Sequence, residues 1–256
     1  MLWTLVLIAF IVAHITASGR TEIRIADNLV DNAVARAAAD GAISAAIFNL
    51  SNPRPEQRWP LDGAPRHLAV GSSRIALRLE DEASRINPNL ASPQLLQALL
   101  QTLGANARIA QRLAGAIAEW VGSAQEPRAP EAVLADYRTA GLDYQPPGAP
   151  LESLDELGRV LGVTPALLAA LRPHLSLFAP AEPSRRSPDP VVAAALAAVA
   201  QSGDTTAPTP PDMSTARITV VASGPGKARV ERIAVVRIGA ALVNGYAVLA
   251  WGDRLD

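Results

Sequence analysis

Cysteine is absent from the 256 residues, which excludes disulfides, thiolate zinc sites and a thiol nucleophile. Aromatic residues make up only 4% of the chain, so the core must be aliphatic and padded with alanine. The three histidines, His14, His67 and His174, lie far apart, and no pair with metalloprotease spacing exists. No G-x-S-x-G marks a serine as a nucleophile on a strained turn. Neither sign of charge dominates: the net charge is −1 and the sequence pI about 6.3, so nothing draws the whole chain to a polyanion. Two further absences are local. Residues 1–17, MLWTLVLIAFIVAHITA, carry no charge, and no proline occurs before Pro53.

The first 50 residues organise the chain. An unbroken stretch without proline reads as one long helix, apolar in its first third and amphipathic afterwards. At 1.5 Å per residue it would be roughly 75 Å long, more than a domain of this size needs. Residues 1–17 are expected to form its membrane-spanning part and residues 18–50 its continuation outside the bilayer. The run is at the short end of what spans a membrane. No basic residue precedes it, which argues against a secretory signal, although Ala17-Ser18-Gly19 could pass for a weak cleavage site. Projected at about 100° per residue, Arg20, Arg24, Asp27 and Asp31 form a charged stripe. Ile23, Ala26, Val30, Ala33 and Ala37 gather on another side, continued by Gly41 and Phe48. Small residues on that side let another backbone approach closely. A partner helix is expected there; after Ala33 the alternative is a helix resting on its own domain.

A proline-rich connector (51–65) leads to a hairpin, RHLAV and RIALRLE around Gly71-Ser72-Ser73, with Ile75, Leu77 and Leu79 on one buried face. Helices follow. Ser92-Pro93 opens QLLQALLQTLG, and residues 107–120 form the next helix. A loop-rich stretch (122–150) holds a short helical piece near 132–139. Ser153 and Glu156 form a capping box before LDELGRVLG, and Thr164-Pro165 opens ALLAALRPHL. Residues 181–211 read as a linker containing one short helix, VVAAALAAVAQ. Three strands then close the chain: RITVVAS, RVERIAVVRI and GYAVLAWG. Gly224-Pro225-Gly226-Lys227 is a hairpin turn rather than a phosphate loop. The strands before and after the helical block are expected to share one sheet. The fold class is therefore α+β: a sheet formed by 51–82 and 212–256, with residues 83–180 inserted as a helical domain.

INPNLASPQLL (86–96) and LGVTPALLAAL (161–171) resemble helix-hairpin-helix modules, which grip phosphate through backbone amides. Thr164 stands where a second glycine belongs, and acids flank the few arginines. Packing is the preferred role. A membrane-tethered DNA-binding protein is the alternative reading of function, and no nucleic-acid partner is expected.

Taken together, these stretches resemble the minor pseudopilin K family of type II secretion. GRTEIRIADNLVDNAVARAAADGAISAAI (19–47) is similar to the family's helix beyond the membrane. The segments RLEDEASRINPNLASPQLLQALL and ADYRTAGLDYQPPGAPLESLDELGRVLGVTPALLAALRPHLSLF agree with its later part. The resemblance implies a pilin-like long helix with an antiparallel sheet and an inserted all-α domain of helix-hairpin-helix or SAM-like type. It also implies a non-enzymatic subunit, single-pass in the bacterial inner membrane, with its C-terminal domain in the periplasm. Its partners would be the I and J minor pseudopilins, met through the N-terminal helix at Ile23, Ala26, Val30, Ala33 and Ala37. Together they would cap the pseudopilus and start its growth.

The chain departs from the family in two ways. Leu2-Trp3 is similar to a pair that follows the family's basic leader, so the leader is expected upstream of Met1. Relatives resemble W-x-D-x-x-D followed by G-A-E-D-x-x-Y, an acidic loop associated with calcium. Here Gly122 and Gln125 stand at the first acidic places and Val133 and Leu134 at the later pair, leaving Asp136 and Tyr137. No cofactor is expected, and the family's calcium site is read as lost.

Overall fold

The computed structural model describes residues 2–124, 128–181, 183–185, 187–201 and 213–253, without the side chains of residues 2, 5, 11–21 and 55. One helix, α1, runs from Leu2 to Leu50 without a break. Nothing in its sequence could end it sooner, since it contains no proline and its two glycines, Gly19 and Gly41, only lower its helix propensity.

Two strands precede the helical block, β1 (Arg66–Val70) and β2 (Ser73–Asp81). They pair antiparallel from Arg66 opposite Leu77 to Val70 opposite Ser73. Three strands follow it: β3 (Met213–Ser223), β4 (Arg229–Gly239) and β5 (Tyr246–Gly252). All five form one sheet in the order β1-β2-β3-β4-β5. Alternation places Ile75, Leu77 and Leu79 of β2 and Ile218, Val220 and Ala222 of β3 in the interior.

The chain divides into two compact units. The first holds the residues up to Leu79, Arg217–Ala234 and Ala250–Leu255; the second holds mainly Glu80–Ala216 and Val235–Leu249. In the first unit α1 buries Ala35, Ala38, Ala39, Ala42, Ile43, Ala46, Ile47 and Leu50. Their spacing of three and four makes one stripe. Alanine in most of these places lets the strands come close. At Gly224, after β3, a Cβ would lie 2.9 Å from the Ala35 Cβ and 3.2 Å from the Asp31 carbonyl oxygen.

The second unit is built mainly from α2 (Pro93–Thr102), α3 (Ala107–Val121), α4 (Pro130–Thr139), α5 (Pro165–Leu171) and α6 (Pro190–Gln201). Side-chain caps start three of these helices. The side chains of Ser92, Asn106 and Thr164 accept from Leu95, Ile109 and Leu167 amides at 3.2, 2.9 and 3.2 Å. The Ser153/Glu156 capping box is present, but it opens a 3-10 turn over Leu154–Arg159 rather than an α-helix. Gly158 and Gly162 leave too few good helix formers to nucleate a longer one.

The stretch expected as a linker needs correction. Val192 and Ala195 of α6 are fully buried in the same core as Leu99 and Ala110, and α6 packs on α2. An apolar helix this short gains far more from that core than from solvent. The entrance and exit of the unit are stitched together. Ile86 donates to the His174 carbonyl at 2.9 Å and accepts from the Ser176 amide at 3.0 Å, while Asn87 donates to the carbonyls of Leu177 and Ala179.

Ala39→Leu should overpack the α1 stripe and cost about 1–3 kcal/mol of stability. Ala37→Leu, on the exposed side, should change stability by less than about 0.5 kcal/mol. Denaturant melts of the two variants against wild type would check the contrast.

Candidate functional site on the uncovered flank of the long helix

The five residues expected to meet a partner helix, Ile23, Ala26, Val30, Ala33 and Ala37, are all exposed. Ile23 and Val30 are 63% and 61% accessible, unusual for branched aliphatic side chains. Gly41 and Phe48, on the same side, are exposed as well. At about 100° per residue this flank lies opposite the stripe that α1 buries. After Ala33 the helix therefore rests on its own domain with one side only, and among the described residues nothing covers the other.

Four residues of the helix were also expected to form a charged stripe. Arg24 and Asp27 are exposed, and Asp31 is half-buried beside the turn after β3, against Gly226. The side chain of Arg20 lies outside the described residues. The stripe runs along the same line of the helix as Ala38 and Ala42 farther on. That line is charged up to Asp31 and alanine afterwards, so the change of residue type marks where the sheet begins to cover the helix.

A second apolar line escaped the sequence reading. Ile25 and Leu29 lie along the continuation of Ile43 and Ile47, yet they are 53% and 66% exposed. Residues 22–30 are exposed throughout, so nothing in the described residues covers this line. Its signal was available: an aliphatic pair at i, i+4 on the buried line, ahead of the first buried alanine.

Trp3, Val6, Leu7, Ile8 and Phe10 are each more than half exposed and point to several sides of α1. Among the described residues no helix is long and apolar enough to cross a membrane. Most of the span expected over residues 1–17 lies outside that description, since Met1 and the side chains of Leu2, Leu5 and residues 11–17 are not part of it.

An ionic clasp fixes the flank relative to the sheet. Asp40 of α1 accepts from Arg232 Nε of β4 at 2.9 Å and from Trp251 Nε1 of β5 at 3.0 Å. Arg232 Nη1 also donates to Asp253 at 2.6 Å, and Arg36 of α1 bonds the same carboxylate. Hydrogen bonds from Arg232 and then Arg36 hold the Asp253 carboxyl below the usual carboxylate range. Partners separated by about 200 positions leave no local trace, so sequence reasoning missed them.

In the second unit, the hairpins considered for nucleic acid are occupied with packing. Gly162 sits where an added Cβ would approach Leu113 Cδ2 at 3.2 Å, and Arg172 is paired with Asp155. At the positions of the family's acidic loop, Gly122 ends α3 in a left-handed conformation, Val133 is buried and Gln125 lies outside the described residues. Leu134 is half-buried. Asp136 pairs with Arg128, which also grips Glu119. Tyr137 is buried; its hydroxyl accepts from the Leu161 amide at 3.1 Å, and burial pushes its pKa up. Among the described residues no group of three or more His, Cys, Asp or Glu could hold a metal ion.

Residues 73–180 match the family model described as type II secretion system (T2SS), protein K. The fold is similar to a chain in the crystal structure of the GspK-GspI-GspJ complex from the enterotoxigenic Escherichia coli type 2 secretion system. The TM-score is 0.57 at 18% identity, over 92% of this chain and 98% of that one. No curated protein sequence matches the chain.

Arg232→Met should lower the melting temperature by about 2–4 °C, the shift expected when an exposed ion-pair network of this size is lost. The pH dependence follows from the sign of the shift. A carboxyl held low in the folded state adds stability above its unfolded value and loses it as pH falls through its folded value. The difference between wild type and Arg232→Met should therefore shrink only below the ordinary carboxylate range. Melts across an acid pH series would read it.

Proposed function

We propose that this chain, whose residues 73–180 match the type II secretion protein K model, is a member of that family: a minor pseudopilin that works by assembly. In this reading it has no catalytic role. Its fold is pilin-like: the long helix and the five-stranded sheet form the pilin part, and the helices of the second unit are an inserted all-α domain. Residues 1–17 anchor it once in the bacterial inner membrane, and the rest stands in the periplasm. The apolar side chains exposed on several sides of α1 between Trp3 and Phe10 support that anchor, because water would penalise them and lipid would not.

One observation carries the proposal. Between Glu22 and Val30, α1 stands clear of its own sheet and presents two apolar lines about 100° apart, Ile23/Ala26/Val30 and Ile25/Leu29. A helix with one apolar line suits one neighbour; two lines at this angle suit two neighbours in a small bundle. The similar fold comes from a complex of GspK with GspI and GspJ, and two partner helices of those I and J types are what we assign to the two lines. Ala33 and Ala37 extend the first line and allow close approach over two more turns. The charged stripe of Arg20, Arg24, Asp27 and Asp31 falls between the sheet side and the small-residue flank. Its mixed signs are suited to fixing register against partners rather than to adding affinity. A subunit of this kind supports secretion across the outer membrane by capping the pseudopilus and starting its growth.

Val30→Asp and Leu29→Asp each introduce an unpaired charge into one of the two lines. Each should reduce co-purification of I- and J-type subunits at least about tenfold, equivalent to about 1.4 kcal/mol. The melting temperature of the isolated chain in detergent should not change, because both sites are exposed. Full recovery of both partners with both variants would refute the proposal.

A further inference from the structure

A fixed positive charge sits between the third and fourth helices. Arg128 lies two residues before α4, and its guanidinium faces carboxylates on two different helices. Nε and Nη2 donate to the two oxygens of Glu119 on α3 at 2.5 and 2.9 Å, a two-pronged fork. Nη1 donates to Asp136 on α4 at 2.7 Å. These hydrogen bonds, to Glu119 first and then Asp136, raise the guanidinium pKa above its ordinary value. Among the described residues, the surrounding hollow is lined by Gly122, Val133, Pro146, Pro147 and Gly148, which bring no further carboxylate.

The protein K resemblance implies calcium in this part of the fold. Calcium takes six to eight oxygen ligands, mostly carboxylates and carbonyls. Among the described residues the donor set does not fit it. Both Glu119 oxygens are already engaged by the guanidinium, as is one oxygen of Asp136. A guanidinium beside them would also repel a second cation. Backbone packing fills part of the remaining space: at Gly122, φ is 73° and a Cβ would come within 2.5 Å of the Gly148 carbonyl oxygen.

We propose that Arg128 is a resident cation. Its guanidinium occupies the Glu119–Asp136 carboxylate pair beside Gly122 and Val133, two of the places where the family's loop is acidic, and it ties α4 to α3 without a divalent metal. The electrostatic task is the same in both cases, since anionic oxygens from separate helices must be held together. A covalently attached cation does so at any calcium concentration. A chain with this arrangement keeps its helical unit folded when free calcium varies. The inference concerns the stability of that unit and does not depend on which partners the first helix meets.

The test uses the full chain in detergent and calcium chloride as the probe. The wild-type melting temperature should be the same in chelator and in millimolar calcium. Arg128→Met, of similar length but uncharged, should melt about 2–4 °C lower. Arg128→Lys, which keeps the charge and loses the fork, should regain most of the difference. A calcium-dependent rise in wild type, an unchanged Arg128→Met, or an Arg128→Lys as weak as Arg128→Met would each overturn the proposal. The wild-type calcium comparison needs no variant, so it decides even if a substitution prevents folding. Co-purification with I- and J-type subunits, measured in parallel, separates failure of this inference from failure of the assembly reading.

Discussion

The rest of the first unit depends on one constraint: a single helix must serve two environments in succession. From Ala35 onward one side of α1 is covered by strands; from Glu22 to Val30 no described residue covers any side. A helix cannot turn its faces independently, because each residue is fixed about 100° from the last. The packing against the sheet therefore decides where the free flank points. Alanine on the covered side brings the sheet near, and the Asp40–Arg232–Trp251 contacts prevent rotation. The orientation of Ile23 and Val30 is set by residues two to five turns away.

The helical unit solves a different problem with the same economy of aromatic residues. Trp120, Tyr137 and Tyr144 meet edge to face, with ring centroids 6.3 and 5.6 Å apart. Tyr144 also donates to the Arg159 carbonyl at 3.1 Å. These contacts link α3, α4 and the 3-10 turn, while Arg128 links α3 and α4 from the outer side. Aliphatic side chains fill the volume, and a few directional groups settle the arrangement. Such a division suits a core that has little aromatic area to bury.

Much of this was legible in the sequence, and the reasons are specific. The alternation of Ile75, Leu77 and Leu79 is a local signal, and it matches the buried face of β2. Ser92 and Thr164 announce helix starts because a side-chain oxygen can satisfy an amide only three residues away. The buried stripe on α1 was harder, since alanine is ambiguous: it suits a solvent face, a covered face and a partner face equally. Ala33 and Ala37 are exposed while Ala35 and Ala39 are buried, and only the sheet distinguishes them. Arg128 and Arg232 could not be read, because ion pairs formed through the fold carry no periodicity. The membership of α6 in the core was obscured by its proline-rich flanks, which look like those of a spacer.

The placement of the tryptophans has an optical consequence. Trp120 is buried within the helical unit, and Trp251 hydrogen-bonds Asp40 at the margin of the first unit while remaining partly open to water. Their emission should differ in colour and in access to a soluble quencher. Once the other two tryptophans, Trp3 and Trp59, are replaced by phenylalanine, each could be followed as its own unit loosens, and the chain would carry an internal two-channel dye without any label attached.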